Sequence, residues 1–543
     1  MRDDRDRRAG LRISRRQAVK AGLAALAGSA ASGALAPLTG GIFMDATAPP
    51  AWAAGPAAAP LFHSSPALPI PLQFPPFVSV PVPAFVGAAA AASPIAAPPI
   101  PRHPFMAPNG KSNTHDDAYM SDTYTTGGPL GRAPHVLPSF LAGLCVTMAF
   151  DRAGRIISAC LGSDSARLFL LDPDTLAPLA YLELPTRKVD PGEFPAGSYF
   201  YLDQQDRVVL PTVDQTLWVI AETIGGGRAS FGRTRVYDVS GVMAADDEIQ
   251  SALPDFSGRL WFVTRGSSGT PALVGTLNPS SGKVLGTVKL AGERIDNSFA
   301  VDETGGVFVV SDHALYRFDT GAQGAPTLTW RETYDRGNRI KPGQVAQGSG
   351  TTPTLMGDDY VTIADNADPF MHVLVYRRAK VGGQQLVDQQ EVFSANKGCT
   401  ENSLIATGRS IIVENNYGYR DPTATMGGTT TEPGMTRLDL GAGGLHKVWT
   451  NTEVVIPSLI SKMSLANGLV YCYTHTPVSD PQLGVIDAWY LTAVDFDSGK
   501  TVFKCLAGTG VYFNNHYAAM YVGPNGTAYV GVLGGVVAIR DTT

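Results

Sequence analysis

The chain has 543 residues, of which 17% are charged and 44% hydrophobic, with 59 Gly and 40 Pro. This composition is typical of a turn-rich globular protein rather than of a disordered chain. Residues 1–20 carry eight Arg or Lys and three Asp, so the remaining chain has 34 basic and 45 acidic side chains, a formal charge of −11. Such a body has no general attraction for nucleic acid or anionic lipid, and we expect neither as a partner.

The first 53 residues resemble a twin-arginine signal peptide. Residues 14–20 read SRRQAVK, a weakly apolar run follows over residues 21–36, and Ala51 and Ala53 offer a cleavage site. A basic amphipathic helix is the alternative, but this run has no polar face. The resemblance implies export of the folded protein. No later stretch reaches the ~20 apolar residues of a membrane span, so we expect a mature protein outside the cytoplasmic membrane, in the cell envelope or secreted.

Residues 54–112 are rich in Ala and Pro and are predicted to form a disordered linker. Proline at every second or third position excludes a helix and a central strand. Docking of the apolar residues Phe74, Phe77 and Phe85 onto another surface is the alternative. We expect the folded domain to occupy residues 113–543.

Residues 296–319, DNSFAVDETGGVFVVSDHALYRFD, read as three short strands joined by tight turns. This unit recurs about every fifty residues, a period typical of propeller blades. The sequence therefore predicts an all-β protein, a β-propeller with eight four-stranded blades, or seven if one unit is miscounted. The predicted inner strands are residues 145–150, 199–202, 250–254, 298–301, 354–356, 403–406, 463–466 and 518–522.

The last blade lacks an outer strand, because only residues 536–540 follow its second strand. A strand near residues 119–125 is predicted to fill this place and close the ring, which would remove the exposed sheet edges.

Residues 494–502, VDFDSGKTV, resemble the repeat of the quinoprotein-dehydrogenase-like propellers, and residues 277–284 and 170–176 are weaker copies. The resemblance implies the propeller fold and brings a quinone into consideration as a cofactor. The quinone dehydrogenases of this group carry an adjacent cysteine pair and repeated tryptophans. This chain has neither.

Five cysteines in an exported protein suggest a disulfide. A hairpin turn over residues 151–154 pairs Phe150 with Arg155 and places Cys145 opposite Cys160, within reach of a disulfide. Two buried thiols are the alternative. The sequence predicts no pairing for Cys399, Cys472 and Cys505.

Residues just before each inner strand are expected to meet at one mouth of the central channel. Carboxylate and amide oxygens suit calcium or another hard divalent cation, and the predicted ligands are Asp296, Asn297, Glu401 and Asn402. Alternatively, Glu401, Lys462 and His516 would carry out acid–base catalysis. A wet, polar channel without function is the third interpretation. The other predicted rim residues are Ser198, Glu248, Thr351 and Asn515.

The predicted function is that of an exported propeller enzyme acting on a small molecule at the channel mouth, as a metal- or quinone-assisted oxidoreductase. A non-catalytic binding or scaffold propeller is one alternative. A lactonase-type metal hydrolase is another, although such propellers usually have six blades. The segments at Asp365 and Asn415 are expected on the face opposite the rim residues. We interpret them first as turns and only second as binding loops.

Overall fold

The computed structural model describes residues 61–63, 81–162, 165–186 and 199–543, which form eight antiparallel sheets arranged as a β-propeller. The predicted all-β class and the eight blades are confirmed. The predicted signal peptide and Ser198 lie outside the described residues. Within those residues the helices are short 3-10 turns, and none is long and apolar enough to cross a membrane.

Each blade has four strands that run antiparallel from the channel to the rim. The inner strands of blades 1 to 8 are Leu144–Phe150, Tyr201–Leu202, Ile249–Pro254, Ala300–Val301, Thr354–Met356, Ile405–Thr407, Lys462–Ser464 and Met520–Val522. The second strands are Ile156–Leu161, Val208–Pro211, Leu260–Thr264, Val307–Val310, Tyr360–Ala364, Ser410–Glu414, Leu469–Asp480 and Ala528–Val532.

The outer half of each blade completes its sheet. The third strands are Ala166–Leu171, Thr216–Gly225, Ala272–Leu277, Ala314–Thr320, Met371–Arg377, Met435–Gly441, Gly484–Asp495 and Gly535–Asp541. The outer strands are Pro178–Leu184, Arg228–Asp238, Val284–Leu290, Pro326–Thr333, Leu386–Val392, Gly444–Asn451, Thr501–Thr509 and, for blade 8, Pro134–Phe140. We call the face where inner strands begin the upper face.

Aspartate residues close the turn after several inner strands. Asp302 Oδ1 accepts hydrogen bonds from the backbone N–H of Thr304 at 3.0 Å and of Gly306 at 2.8 Å. Gly305 adopts φ = +89°, which glycine reaches without steric cost. Because all these contacts lie within five residues, the turn forms from local sequence and aligns the two flanking strands.

The apolar core lies between neighbouring sheets. In blade 3 the fully buried Phe262 ring occupies the space that a side chain at Gly275 would fill, since a Cβ there would lie 2.2 Å from the ring. Trp261 points to the other side of the sheet, and its Nε1 donates to Asp255 Oδ2 at 2.9 Å. Burial of each such aromatic side chain contributes roughly 1.5–3 kcal/mol.

The ring is closed by Pro134–Phe140, which pairs antiparallel along its whole length with Gly535–Asp541. The prediction that residues 119–125 close it is wrong. Pro134 and Pro138 made this segment a poor strand in the sequence, but an outer strand has one free edge where a missing N–H is tolerated.

Residues 111–124, here called the channel segment, fill the channel below the upper mouth. Their carbonyl oxygens accept hydrogen bonds from backbone N–H groups of the inner strands of blades 1, 2, 4, 5, 6 and 7. There are six such bonds. With the accepting residue written first, the pairs are Lys111 with Phe150, Ser112 with Leu202, Ala118 with Val301, Tyr119 with Leu355, Ser121 with Ala406, and Asp122 with Met463. Its only strand, Thr123–Tyr124, runs parallel to the inner strand of blade 7.

The described parts of the predicted linker, residues 61–63 and 81–112, lie against the propeller; Leu61–His63 pairs antiparallel with the outer strand Arg228–Asp238 of blade 2. Phe85–Gly87 adds a strand to the outer edge of blade 7, and the Phe85 ring stacks on Phe503 at 5.7 Å. Further along, Ile95 N–H donates to Leu465 O at 2.8 Å. Extended, proline-rich backbone can add to a sheet edge, which explains how this composition is compatible with order. Phe74 and Phe77 lie outside the described residues.

The disulfide between Cys145 and Cys160 is confirmed, with an S–S distance of 2.04 Å. The predicted pairing of Phe150 with Arg155 is wrong, because Phe150 faces Ile156. A bulge between Cys145 and Thr147 shifts the register by one residue and so places Cys145 opposite Cys160. Cys399, Cys472 and Cys505 are free and buried.

We expect replacement of Cys145 and Cys160 by Ser to lower the free energy of unfolding by about 3 kcal/mol, because the bond restricts the unfolded chain. Denaturant titration of the wild type and of the double Ser variant measures this difference in unfolding free energy. Mass mapping of a non-reduced digest should find the two wild-type peptides linked, and alkylation of both thiols would contradict the bond.

Candidate functional site

A cavity lies at the upper mouth of the channel. About 40 Å³ of it is open to the centres of water-sized molecules, which is room for about three waters or for a ligand of a few atoms. The channel segment closes it from below, since Thr114 is part of its floor. The lining residues are Thr114, Val146, Thr147, Tyr199, Gln250, Arg265, Asp296, Asn297, Val345, Glu401, Asn402, Ile460 and Tyr517.

The structure brings four of the predicted site residues together in this lining, namely Asp296, Asn297, Glu401 and Asn402. They belong to the loops that enter the inner strands of blades 4 and 6. Lys462 and His516 are not among the lining residues.

Glu401 places a buried carboxyl group in the cavity wall. Its Oε2 atom has no hydrogen-bond partner among the described residues. Burial raises the pKa of Glu401 well above its usual range, and the charge of Asp296 raises this pKa further. Both effects favour the protonated form of Glu401.

Asp296 is paired with arginines. Its Oδ1 lies 2.7 Å from Arg294 Nε and 3.7 Å from Arg265 Nε. Arg265 also faces Glu248, with 3.4 Å between Nη1 and Oε2. Burial raises the pKa of Asp296, and the two arginines oppose that shift. The wall thus contains one carboxylate held by arginines and one carboxyl group, that of Glu401, without such a partner.

Asn402 lines the cavity, and its amide nitrogen is held by acceptors outside the lining. Nδ2 donates to Glu414 Oε1 and to Leu459 O, both at 2.6 Å, and to Asn416 Oδ1 at 3.2 Å. Burial raises the pKa of Glu414 to about 8. Asn297 Nδ2 makes a longer contact, 3.5 Å, with Ser349 O.

Lys462 lies in the buried interior beneath the cavity, where it holds the channel segment. Its Nζ donates to Thr114 O and lies 2.5 Å from Asp122 Oδ1 and 3.5 Å from Asp116 Oδ2. Burial opposes the charge, but the two aspartates outweigh it and raise the pKa of Lys462. Asp122 also faces His115, with 3.1 Å between its Oδ1 and Nδ1.

His516 lies beside the cavity and supports its neighbour Tyr517, which lines it. His516 Nδ1 is 3.0 Å from Tyr419 OH, and its backbone N–H donates to Asn514 Oδ1 at 2.8 Å. Burial lowers the pKa of His516 to about 4, so this side chain is neutral at physiological pH. Of the three residues predicted for acid–base chemistry, Glu401 is the one that lines the cavity.

Several residues of the cavity lining could not be predicted from the sequence, because they do not precede inner strands. Some follow second strands, and others belong to separate segments of the chain. Arg265 directly follows the second strand of blade 3, and Thr114 belongs to the channel segment. A second strand runs antiparallel to the inner strand, so it ends on the face where the inner strand begins. For the same reason, the expectation that Asp365 and Asn415 lie on the opposite face is wrong. Asn416, the neighbour of Asn415, lies at the upper face, because its Oδ1 accepts a hydrogen bond from Glu401 N–H at 3.0 Å.

The cavity fits the two considered cofactors differently. A fused-ring quinone is much larger than the space of about 40 Å³. Across the described ranges, no three His, Cys, Asp or Glu side chains are arranged to hold a metal ion. A cation would instead depend on Glu401 together with the amide oxygens of Asn297 and Asn402, which are ligand types that calcium accepts.

Comparison with known proteins adds a distant relative. No family model matches the chain. A curated protein from Archaeoglobus fulgidus, described as an uncharacterized protein, is 29% identical over 278 residues, which cover 46% of this chain and 52% of the relative. The match thus spans about half the length of this relative.

Solved structures with a similar fold include Sqt1 from Chaetomium thermophilum, with 11% identity and a TM-score of 0.49 over 77% of this chain and 98% of that one. Another is quinohemoprotein alcohol dehydrogenase ADHIIG from Pseudomonas putida HK5, with 12% identity and a TM-score of 0.48 over 80% of each chain. BamB from Moraxella catarrhalis has 12% identity and a TM-score of 0.34 over 61% of this chain and 93% of that one. Identities of this size concern the fold alone, and the fold of this chain is an eight-bladed β-propeller.

Proposed function

We propose that the protein binds a small polar molecule in the cavity at the upper mouth and that Glu401 exchanges a proton with it. The observation that supports this most is the buried carboxyl group of Glu401, whose Oε2 has no partner in the described part of the chain. Burial of a polar atom without a hydrogen bond costs roughly 1–3 kcal/mol, and a bound ligand would offset that cost.

The chemistry of the wall favours acid–base catalysis on an uncharged, oxygen-rich substrate. A neutral carboxyl group can donate a proton to a leaving or carbonyl oxygen and recover it from water. The Asn402 carbonyl can accept a hydrogen bond from a substrate hydroxyl, and Arg265 can stabilise negative charge that develops nearby. We give Lys462 no part in this chemistry, because two aspartates hold it.

A cation-binding hydrolase of the lactonase type is the second candidate. Two carboxyl groups at one wall repel each other when both are ionised, and a divalent cation would relieve this repulsion. Glu401, Asn297 and Asn402 are the residues that would hold it, whereas Asp296 is already paired with Arg294 and Arg265. A binding protein without catalysis is the remaining candidate, and turnover of the bound molecule separates it from the first two.

Replacing Glu401 by Gln should weaken ligand binding about 10- to 150-fold, because the variant keeps the shape but loses the exchangeable proton and the ability to ionise. Calorimetric titration with Ca²⁺ and with a panel of uncharged, oxygen-rich molecules of a few heavy atoms, including the smallest lactones, measures the loss. Thermal unfolding should remain nearly unchanged.

The matched control is Glu432→Gln, which alters an exposed carboxylate paired with Lys397 at 2.8 Å. This variant should bind as the wild type does. Binding of Ca²⁺ alone would favour the cation site, and binding of an organic molecule without Ca²⁺ would favour acid–base catalysis. If Glu401→Gln binds as tightly as the wild type, the proposed site is wrong.

We also propose that the protein works outside the cytoplasm. Disulfides persist mainly in oxidising compartments, and the Cys145–Cys160 bond supports such a location. The twin-arginine-like sequence of residues 14–20 points in the same direction.

A further inference from the structure

Residues 341–350, here called the strap, run across the upper mouth before the inner strand of blade 5. Their sequence is KPGQVAQGSG. Val345, at the middle of the strap, belongs to the lining of the cavity. The strap therefore covers part of the route between solvent and Glu401.

Glycines let the strap lie directly on the residues beneath it. A Cβ at Gly343 would lie 2.3 Å from Asn416 O and 2.7 Å from Cys399 Sγ. A Cβ at Gly350 would lie 2.5 Å from Glu401 Oε2. Gly343 also has φ = +118°, which other residues rarely adopt. The strap backbone is thus the immediate cover of Cys399 and Glu401.

Both ends of the strap are anchored. Lys341 Nζ donates to Ala367 O at 2.5 Å and to Gly398 O at 3.3 Å. At the other end, Ser349 N–H donates to Tyr334 OH at 2.9 Å. Anchored ends on either side of glycine-rich backbone allow the middle to lift while the ends stay in place.

Tyr517 joins the strap to the opposite side of the mouth. Its hydroxyl donates to Gly343 O at 3.3 Å, and its ring packs edge-on against Tyr419 at 5.3 Å. Tyr517 and His516 both have positive φ, +63° and +40°, which costs free energy for residues with side chains. The bond from Tyr517 N–H to Ser458 Oγ at 3.2 Å holds this turn in place. The fold thus maintains a strained turn that presents Tyr517 to the strap.

We propose that the strap is a gate over the cavity and that Tyr517 is the latch that keeps it closed. Opening exposes Glu401 to solvent and lets a small molecule enter or leave. The channel segment blocks the lower side, so the upper mouth is the route into the cavity. What passes the gate depends on the proposed function, but the opening itself can be measured without a ligand.

Cys399 provides a native probe, because its Sγ donates to Pro342 O at 3.3 Å beneath the strap. In Tyr517→Phe the ring remains but the hydroxyl is lost. We expect alkylation of Cys399 by iodoacetamide to become about two- to tenfold faster, as loss of one hydrogen bond predicts. Mass spectrometry of digests taken over time gives the rate for each cysteine.

Cys472 and Cys505, buried in blade 7, serve as internal controls for global unfolding. The matched variant is Tyr376→Phe, because the buried Tyr376 hydroxyl has no hydrogen-bond partner among the described residues. This variant should leave the alkylation rate of Cys399 unchanged. An unchanged Cys399 rate in Tyr517→Phe, or an equal rise at all three cysteines, would overturn the gate.

Hydrogen exchange of the wild-type protein tests the same proposal if Tyr517→Phe does not fold. Amides of the strap should exchange faster than those of the neighbouring strand Tyr360–Ala364, without unfolding of the whole domain. Equal protection of both segments would overturn the proposal. Neither result depends on a ligand, so failure of the gate is distinguishable from failure of the ligand site.

Discussion

Replacing Lys462 by Met is expected to lower the free energy of unfolding by about 3–5 kcal/mol, the loss typical of removing one partner of a buried ion pair. Lys462 and Asp122 are fully buried, and Asp116 is almost so. Without the ammonium group, Asp116 would lose its cation in the interior, and Asp122 would keep only His115 and Ser403 as partners. The loss should be smaller at acidic pH, because the unpaired carboxylates can then take up protons.

Denaturant titration of wild type and variant near neutral pH measures this loss. Lys397→Met is the matched control, since Lys397 is exposed and pairs with Glu432 on the surface. This control should unfold almost as the wild type does. A loss below about 1 kcal/mol for Lys462→Met would show that the ion cluster does not hold the channel segment.

Raising the pH from about 6.5 to about 8.5 is expected to destabilise the folded protein, because buried carboxyl groups must then ionise. Burial raises the pKa of Glu414 to about 8 and of Asp117 to about 7, and it raises that of Glu401 well above its usual range. Each group contributes stability that is fully present below its unfolded pKa and is lost as the pH rises through its folded pKa. The loss reaches about 1.4 kcal/mol per pH unit for each group that ionises.

Histidines act in the opposite direction at lower pH. Burial lowers the pKa of His103 and of His516 to about 4, so their neutral forms favour folding increasingly as the pH rises toward about 6.5. At about pH 6.5 half of the unfolded histidines are still charged, and only above about pH 7.5 are both histidines essentially neutral in the folded and unfolded chains, so that the carboxyl groups dominate. Unfolding free energies measured at several pH values between about 6.5 and about 8.5 give the slope of stability against pH.

Glu414→Gln should flatten this slope, because one ionisation is removed while Asn402 keeps an oxygen acceptor. Glu183→Gln, which changes an exposed residue paired with Arg167, should keep the wild-type slope. A wild-type stability that rises across the window would contradict the assignment of protonated carboxyl groups in the core.

The sequence by itself determined the blades. Apart from the outer strand of blade 8, each blade depends on hairpins whose partners lie within about thirty residues, so alternation of apolar residues and turn chemistry suffice to identify it. The turn Asp302–Gly306, with Gly305 in the left-handed region, illustrates this local information. The sequence also placed Cys145 and Cys160 on neighbouring strands of one hairpin, but it did not reveal the bulge between Cys145 and Thr147 that sets the two cysteines opposite each other.

The sequence also placed four polar residues at one cavity. Asp296, Asn297, Glu401 and Asn402 each precede an inner strand by a similar distance, and ring closure converts that common offset into proximity. Lys462 does not share this offset, because it is the first residue of the inner strand Lys462–Ser464; it therefore lies deeper in the channel, where Asp122 faces it. His516 is turned aside by a backbone with positive φ, which the sequence does not reveal.

Only the tertiary structure decided what fills the channel and what closes the ring. The pairing of Pro134–Phe140 with Gly535–Asp541 joins residues about four hundred positions apart, and no local pattern specifies such a contact. The channel segment is held by backbone carbonyls that bond to six blades, and backbone groups are the same at every position of any sequence. Arg265, Thr114 and Tyr517 reach the cavity through these long-range arrangements, which is why only the folded chain shows them as part of the site.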